Sequence, residues 1–292
     1  MDFNKHKFLL SQILLDIFKD ITLNSVLAFK GGTSLMMFYN LNRFSTDLDF
    51  NLLDNDKMEY AHKRIHDILR KYGKIDDEAL KFYGSVIVLN YGIGERKLKV
   101  EVSNRQYDNH YENKNLFNTD INVMTIPDMF AHKLCALGER CTPRDIFDIW
   151  FLMFHRYDVN DNIVRLRTGM SIGEYICSIS DMISDYSPKM LMQGLGDVVN
   201  DNSTKNFVRK NLIPDTVNLL KIFAANPLIA HQAKTQRLLL IEQHPQLLDF
   251  LSKNDIDLSI ISEKDLLTLS GGSTICSINK NGHNIEISPN VF

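Results

Sequence analysis

The segment Lys30-Gly31-Gly32-Thr33-Ser34, followed by Asp47-Leu48-Asp49-Phe50, constrains this chain more than any other part of it. Val26 to Phe29 reads as a short apolar strand that breaks at the glycine pair and leads into a helix through Leu35 to Tyr39. Glycines in such a turn let the backbone approach a phosphate closely, and a helix start offers free N–H groups at a positive dipole end. From Asp47 to Leu53, acids or amides alternate with apolar residues, as on a strand with one wet face. Side chains two apart on a strand point the same way, so Asp47 and Asp49 project together while Leu48 and Phe50 enter the core. Adjacent carboxylates repel unless a cation lies between them. Mg2+ (or Mn2+) held by one or two carboxylates plus substrate phosphates is the usual solution.

The remaining elements extend this unit into an α+β fold. Leu9, Leu10, Ile13, Leu14, Ile17 and Phe18 give an amphipathic first helix, and Asp56 to Tyr72 is also helical in character. Residues 85–91 and 97–103 form two β-rich runs around a turn with Gly92 and Gly94, the pattern of a hairpin. The second run places Lys99, Glu101 and Ser103 on one face, so Glu101 is a third acid that could complete a metal site or act as a base. A solvent-facing strand residue is the rival reading. Tyr107 to Asn118 reads first as a polar loop whose aromatic residues could stack on bases. A last strand, Asn122 to Ile126, precedes Pro127 at the start of a helix.

On that helix Phe130, Lys133, Leu134 and Leu137 share one stripe. Lys133 therefore either meets a triphosphate or snorkels to the surface. Thr142, Pro143 and Asp145 suit a helix start, which gives Asp145 a capping role. Asp148 sits one turn further in, and an i, i+4 pair with Arg144 would account for it.

Beyond Asp158 the chain is mostly helical, with breaks near Ser187-Pro188, Gly194 to Asn202, Pro214 and Pro227. Asn281-Gly282 between two strand-like runs marks a terminal hairpin. A chain of 292 residues exceeds the usual single domain. The expected division is 1–157, a small mixed sheet with flanking helices, and 158–292, mainly helical.

Composition limits the function classes. With a net charge of -3 and acids and bases evenly spread, a globally basic nucleic-acid binder is excluded, though local patches are not. Arg64, Arg70, Lys71 and Lys74 form one such patch, and Arg96, Lys97 and Lys99 another. Both also suit solvated surfaces. The four cysteines make no CxxC pair and no run is long and apolar enough to span a membrane, so a cytoplasmic protein is expected. His62 and His66, at i, i+4, lie on a charged helix and read as solvated.

Together GGTSL, RFSTDLDF, KVEV and PDMFAHKLCALGER with PRDIFD resemble the AbiEii/AbiGii-type nucleotidyltransferase toxins, within the DNA polymerase β-like superfamily. The resemblance covers about residues 28–155. It implies transfer of a nucleotide from an NTP to an RNA acceptor, the tRNA 3′ end in some relatives, in a type IV toxin–antitoxin system with a winged-helix antitoxin. It further implies that Asp47, Asp49 and Glu101 hold metal, and that Lys30, Gly31, Gly32, Thr33, Ser34 and Lys133 hold the triphosphate. Asp148 would contact nucleotide or acceptor. Glu101 stands where relatives often carry Asp. Two rivals remain: a transferase acting on a small cationic antibiotic, and a nucleotide-binding regulator without turnover.

Overall fold

The structure is a computed structural model that describes residues 2–195, 199 and 201–225, together with two strands at 276–280 and 283–287. Asp2 caps α1 (Phe3–Lys19), accepting from the amides of Asn4 and Lys5. This helix buries Leu10, Ile13, Leu14, Ile17 and Phe18, the stripe read from the sequence. Asp20 ends it and caps the short α2 (Ile21–Val26), so one carboxylate turns the chain into β1 (Leu27–Lys30).

After β1 come α3 (Gly31–Phe38), β2 (Leu48–Leu52), α4 (Met58–Leu69), β3 (Lys74–Lys81), β4 (Gly84–Asn90), β5 (Leu98–Ser103), β6 (Tyr111–Leu116) and β7 (Thr119–Met124). They build a mixed seven-stranded sheet in the order β3-β4-β5-β2-β1-β7-β6. The predicted hairpin is β4–β5, which is antiparallel. The centre is mixed: β2 runs antiparallel to β1 and parallel to β5, and β1 runs parallel to β7. Leu48, Phe50, Leu98, Val100 and Val102 are buried on one face, leaving the acids on the other.

Two strands depart from the expectation, and both are sheet edges. Lys74–Lys81 is a charged, largely exposed strand, as an edge that resists further pairing should be, and so lacks the apolar alternation that marks a strand in sequence. The segment read as a polar loop contains β6, which pairs with β7 through a two-residue turn, Phe117-Asn118, with positive φ at both positions. That turn geometry normally selects Asn-Gly, so Phe117 hides the hairpin.

The helical part begins with α5 (Ile126–Arg140), which carries Pro127 in its first turn, and α6 (Pro143–Phe154). It continues through α7 (Asp161–Thr168), α8 (Ile172–Ser184), α9 (Pro188–Leu195), α10 (Asn202–Lys210) and α11 (Leu212–Ala225). The break expected near Pro214 falls at Asn211, between α10 and α11, and Pro214 is the third residue of α11, where its missing N–H would have had no intrahelical partner. Pro227 lies outside the described residues. The terminal hairpin is present as β8 (Cys276–Lys280) and β9 (His283–Ile287), with Lys280 opposite His283.

Packing continues across residue 157, since Ile163, Ile176 and Leu220 share one buried cluster with Leu134 and Phe147. Gly138 permits a close crossing there: a Cβ on it would overlap the Tyr175 hydroxyl, which reaches the carbonyl of Cys135 at 3.2 Å. Gly138→Ala is expected to cost about 1–3 kcal/mol through overpacking. A lowered urea midpoint at constant m-value would show it. An unchanged midpoint would mean that the crossing tolerates the methyl group.

Candidate active site

The register of the central strands lines up three side chains. Lys30 of β1 lies opposite Asp49 of β2, and Asp49 lies opposite Glu101 of β5. The turn at the end of β1 closes over this row. Gly31 has φ +83, and a Cβ there would sit 2.5 Å from Asp49 Oδ2. Only glycine suits both the backbone and the space. A Cβ on Gly32 would sit 2.8 Å from Arg43 Nη2 and 2.9 Å from Ser45 Oγ. No side chain caps α3, so its first amides stay free for an anion.

Thr33 and Ser34 are fully buried, so their side chains do not line the cleft and only their backbone amides could meet a phosphate. The Thr33 hydroxyl donates to the backbone carbonyl of Asp47 and thereby ties the turn to the acids. One Asp47 oxygen accepts from the Lys99 amide at 3.3 Å, which orients it further.

Charges in the row are strongly coupled. Burial pushes the Asp49 carboxyl up, Glu101 and Asp47 add to this, and Lys99 and Lys30 oppose it. Burial brings the Lys30 ammonium down to about 8 even though Asp49 and Glu101 favour its charge, and its Nζ donates to Asn51 Oδ1. Burial alone would raise Glu101, but Lys99 Nζ at 2.8 Å holds it below its usual value. Among the described residues no three His, Cys, Asp or Glu side chains group as a closed metal site. The Asp47–Asp49 pair nevertheless fits a divalent cation: Asp49 carries an uncompensated penalty for its charge, and Mg2+ commonly takes two carboxylates plus substrate phosphates.

These residues floor a cleft of about 750 Å3 lined by nine basic and five acidic side chains. Its far wall comes from α5, α6 and α7. Lys133 lines it with 15% of its side chain exposed, its Nζ 2.7 Å from Asp148 Oδ2 and 3.8 Å from Asp145 Oδ1. Thr142 caps α6 by accepting from the Asp145 amide, and the Asp145 carboxylate in turn accepts from the Thr142 hydroxyl at 2.6 Å and from Arg140 at 2.7 and 2.8 Å.

Asp148 is fully buried and does not line the cleft. Its two oxygens accept from Arg43 Nε and Nη2, each at 2.6 Å, so Arg43 takes the place expected for Arg144. Asp148 therefore acts on anything in the cleft through Arg43 and Lys133. Burial would raise its carboxyl, yet Arg43 and Lys133 hold it below the usual value.

Sequence reasoning missed Arg43, Arg140, Arg167 and His132 as cleft residues, whereas Tyr107, from the segment whose aromatic residues could stack on bases, does line the cleft. Of the missed residues only Arg43 carried a signal, since it lies beside the acids in sequence. In the first of the two basic patches Arg64 lies 2.6 Å from Asp20, Lys71 3.5 Å from Asp16 and Lys74 3.9 Å from Asp76. From the second, Arg96 and Lys99 reach the cleft while Lys97 pairs with Asp76 at 2.9 Å. His62 and His66 bond to Ser85 and Glu78, each at 2.7 Å.

Among solved structures the chain is similar to a candidate nucleotidyltransferase from Helicobacter pylori at 22% identity and a TM-score of 0.48, over 80% of this chain and 96% of that one. It is also similar to JHP933 from the same organism at 19% identity and a TM-score of 0.47, covering 82% and 97%. A third likeness is to MenT4, a nucleotidyltransferase toxin from Mycobacterium tuberculosis, at 15% identity and a TM-score of 0.45, covering 80% and 92%. No curated protein is significantly similar in sequence. The profile described as nucleotidyl transferase AbiEii toxin of type IV toxin–antitoxin systems matches residues 12–170, a span that holds the glycine turn, the acid row and the three helices of the far wall. The chain belongs to the AbiEii family of type IV toxin–antitoxin nucleotidyltransferases.

Proposed function

We propose that this nucleotidyltransferase moves a nucleotide from an NTP onto an RNA acceptor, the tRNA 3′ end by family resemblance, and does so with a divalent cation. The observation that carries this reading is the pairing of the Gly31–Gly32 turn with Asp47 and Asp49 inside a cleft where basic side chains outnumber acidic ones. A net positive cleft suits polyanions: a triphosphate first, then an RNA backbone. A cationic antibiotic would require the opposite balance.

Within the cleft the free amides of α3 and the Gly31–Gly32 backbone receive phosphate oxygens. Lys133, braced by Asp148, faces the same space and neutralises charge there. Asp47 and Asp49 would hold Mg2+ or Mn2+, which when bound neutralises the triphosphate and acidifies the attacking hydroxyl. Glu101, kept ionised by Lys99, stands beside Asp49 to accept the proton of that hydroxyl. A type IV system supplies an antitoxin as partner, which on this reading is a winged-helix regulator.

The test incubates the protein with Mg2+, each labelled NTP in turn, total cellular RNA and an aminoglycoside, beside Asp49→Asn. Label on RNA with wild type and none with the variant is expected. Equal labelling with both, no RNA labelling, or label on an aminoglycoside instead would sink the RNA reading.

A further inference from the structure

The two ends of the cleft differ in chemistry. Gly32, Arg43 and Ser45 crowd together at one end, which Arg96 and Arg144 also line, and burial first, then Arg43 and Arg96, disfavour the charge on Arg144. Past the acid row, the next residues on the same face of β2 and β5 are Asn51 and Ser103, which lie opposite each other. A strand rises about 3.3 Å per residue, so this pair stands roughly 7 Å beyond Asp49 and Glu101, in the direction a nucleoside would extend from a phosphate held at the acids. Arg105 and Tyr107 follow them along the chain and also line the cleft.

Apart from the imidazole of His132, Tyr107 is the only aromatic ring among the described residues lining the cleft. A nucleobase needs a flat surface that water does not solvate well, and the polar residues around the acids offer none. The ring is also fixed in place. The Arg167 guanidinium lies 5.4 Å from its centroid, and His132 meets it edge-on at 5.2 Å.

Arg167 is itself pinned between Glu139 at 2.5 Å and His132 Nδ1 at 2.9 Å. Since arginine has no acceptor, Nδ1 must accept, so Nε2 carries the proton and donates to Asn109 Oδ1 at 2.7 Å. Burial, Lys30 and Arg167 lower His132 to about 3, so it stays neutral at any working pH. With both nitrogens engaged, the imidazole is support for the ring and not a proton carrier. Three separate segments, the loop after β5, α5 and α7, thus converge to hold one tyrosine beside the acids.

We infer that Tyr107, backed by Arg167 and His132, is the stacking platform for the base of the NTP whose triphosphate occupies the Gly31–Gly32 end. The inference rests on the nucleotide-transfer reading and deepens it, since it assigns the nucleoside half of the substrate a place.

The test compares dissociation constants of each of the four NTPs, and of inorganic triphosphate, for the full chain in Mg2+ with wild type, Tyr107→Ala and Tyr107→Phe. Removing the ring should weaken NTP binding roughly ten- to hundredfold, the usual worth of a base stack, while Tyr107→Phe keeps it. Binding of inorganic triphosphate should be the same in all three, which also shows that the alanine variant is folded. Equal loss of triphosphate and NTP binding, or no loss of NTP binding, overturns the platform and leaves nucleotide transfer standing. A wild type that binds triphosphate but no NTP better than triphosphate alone also overturns it. A wild type that binds neither overturns the transfer reading itself.

Discussion

Asp49→Asn is expected to abolish nucleotide transfer while leaving the protein at least as stable as wild type in metal-free buffer. The loss follows from position: Asp49 lies under the Gly31 turn, between Lys30 and Glu101, where a divalent cation and the triphosphate would meet. Losing a metal ligand removes several kcal/mol of transition-state stabilisation, on the order of a thousandfold or more in rate. The stability follows from the same charges. Burial, Glu101 and Asp47 all penalise an ionised Asp49, so its carboxyl sits above its usual range. A raised carboxyl stabilises the fold only below its unfolded value and costs stability as pH rises through the folded one. At neutral pH a neutral amide removes that cost. Thermal unfolding should show the asparagine variant melting at or above wild type without metal, with Mg2+ raising the melting point of wild type alone. A destabilised variant, or an equal response of both proteins to Mg2+, would mean that Asp49 is structural.

Asp148→Ala should have the opposite profile, with stability lost first and activity lost as a consequence. Arg43 and Asp148 have side chains 3% and 0% exposed, and the variant strands Arg43 without an anion. Breaking a buried pair from one side costs about 3–5 kcal/mol. Denaturant midpoints should fall accordingly, and Arg43→Met with Asp148→Leu together should recover much of the loss because no charge is then left unpaired. The pH dependence has a definite sign. Asp148 is held below its usual carboxyl range by Arg43 and Lys133, so its contribution is complete above the unfolded value near 3.8 and is lost as pH falls from there through the lower folded one. The alanine variant should lack that part of the acid loss. A double variant no more stable than Asp148→Ala would show that the pair is not the source of the effect.

What could be seen from the sequence was local. The glycine turn and the alternating acids lie within twenty residues of each other, so spacing alone placed Gly31, Gly32, Asp47 and Asp49 around one space. Strands with one buried face, such as β2 and β5, announce themselves by alternation, whereas the edges β3 and β6 bury too little to do so. Asp148 was legible as an acid among apolar neighbours, Phe147 and Ile149, that needs a cationic partner, but which partner was not. The helical neighbour Arg144 satisfied every local rule. Arg43 won because the fold brings its fork to both carboxylate oxygens out of solvent, where charge-assisted bonds are strongest. Thr33 and Ser34 could not be placed for a related reason: which way a residue points in the first turn of α3 depends on the strand beneath it.

The link between Arg43 and Asp148 also has a meaning in time. Its partners are 105 residues apart in the chain, and Lys133 is made almost as late as Asp148. At ordinary elongation speeds the interval is on the order of ten seconds. Throughout that interval a nascent chain already carries the glycine turn and the acids, tied together by Thr33, but lacks the wall that faces them and the partner of Arg43. The cleft is thus completed only after the ribosome has delivered α6, and synthesis that stops early leaves behind the acid row as an unarmed fragment.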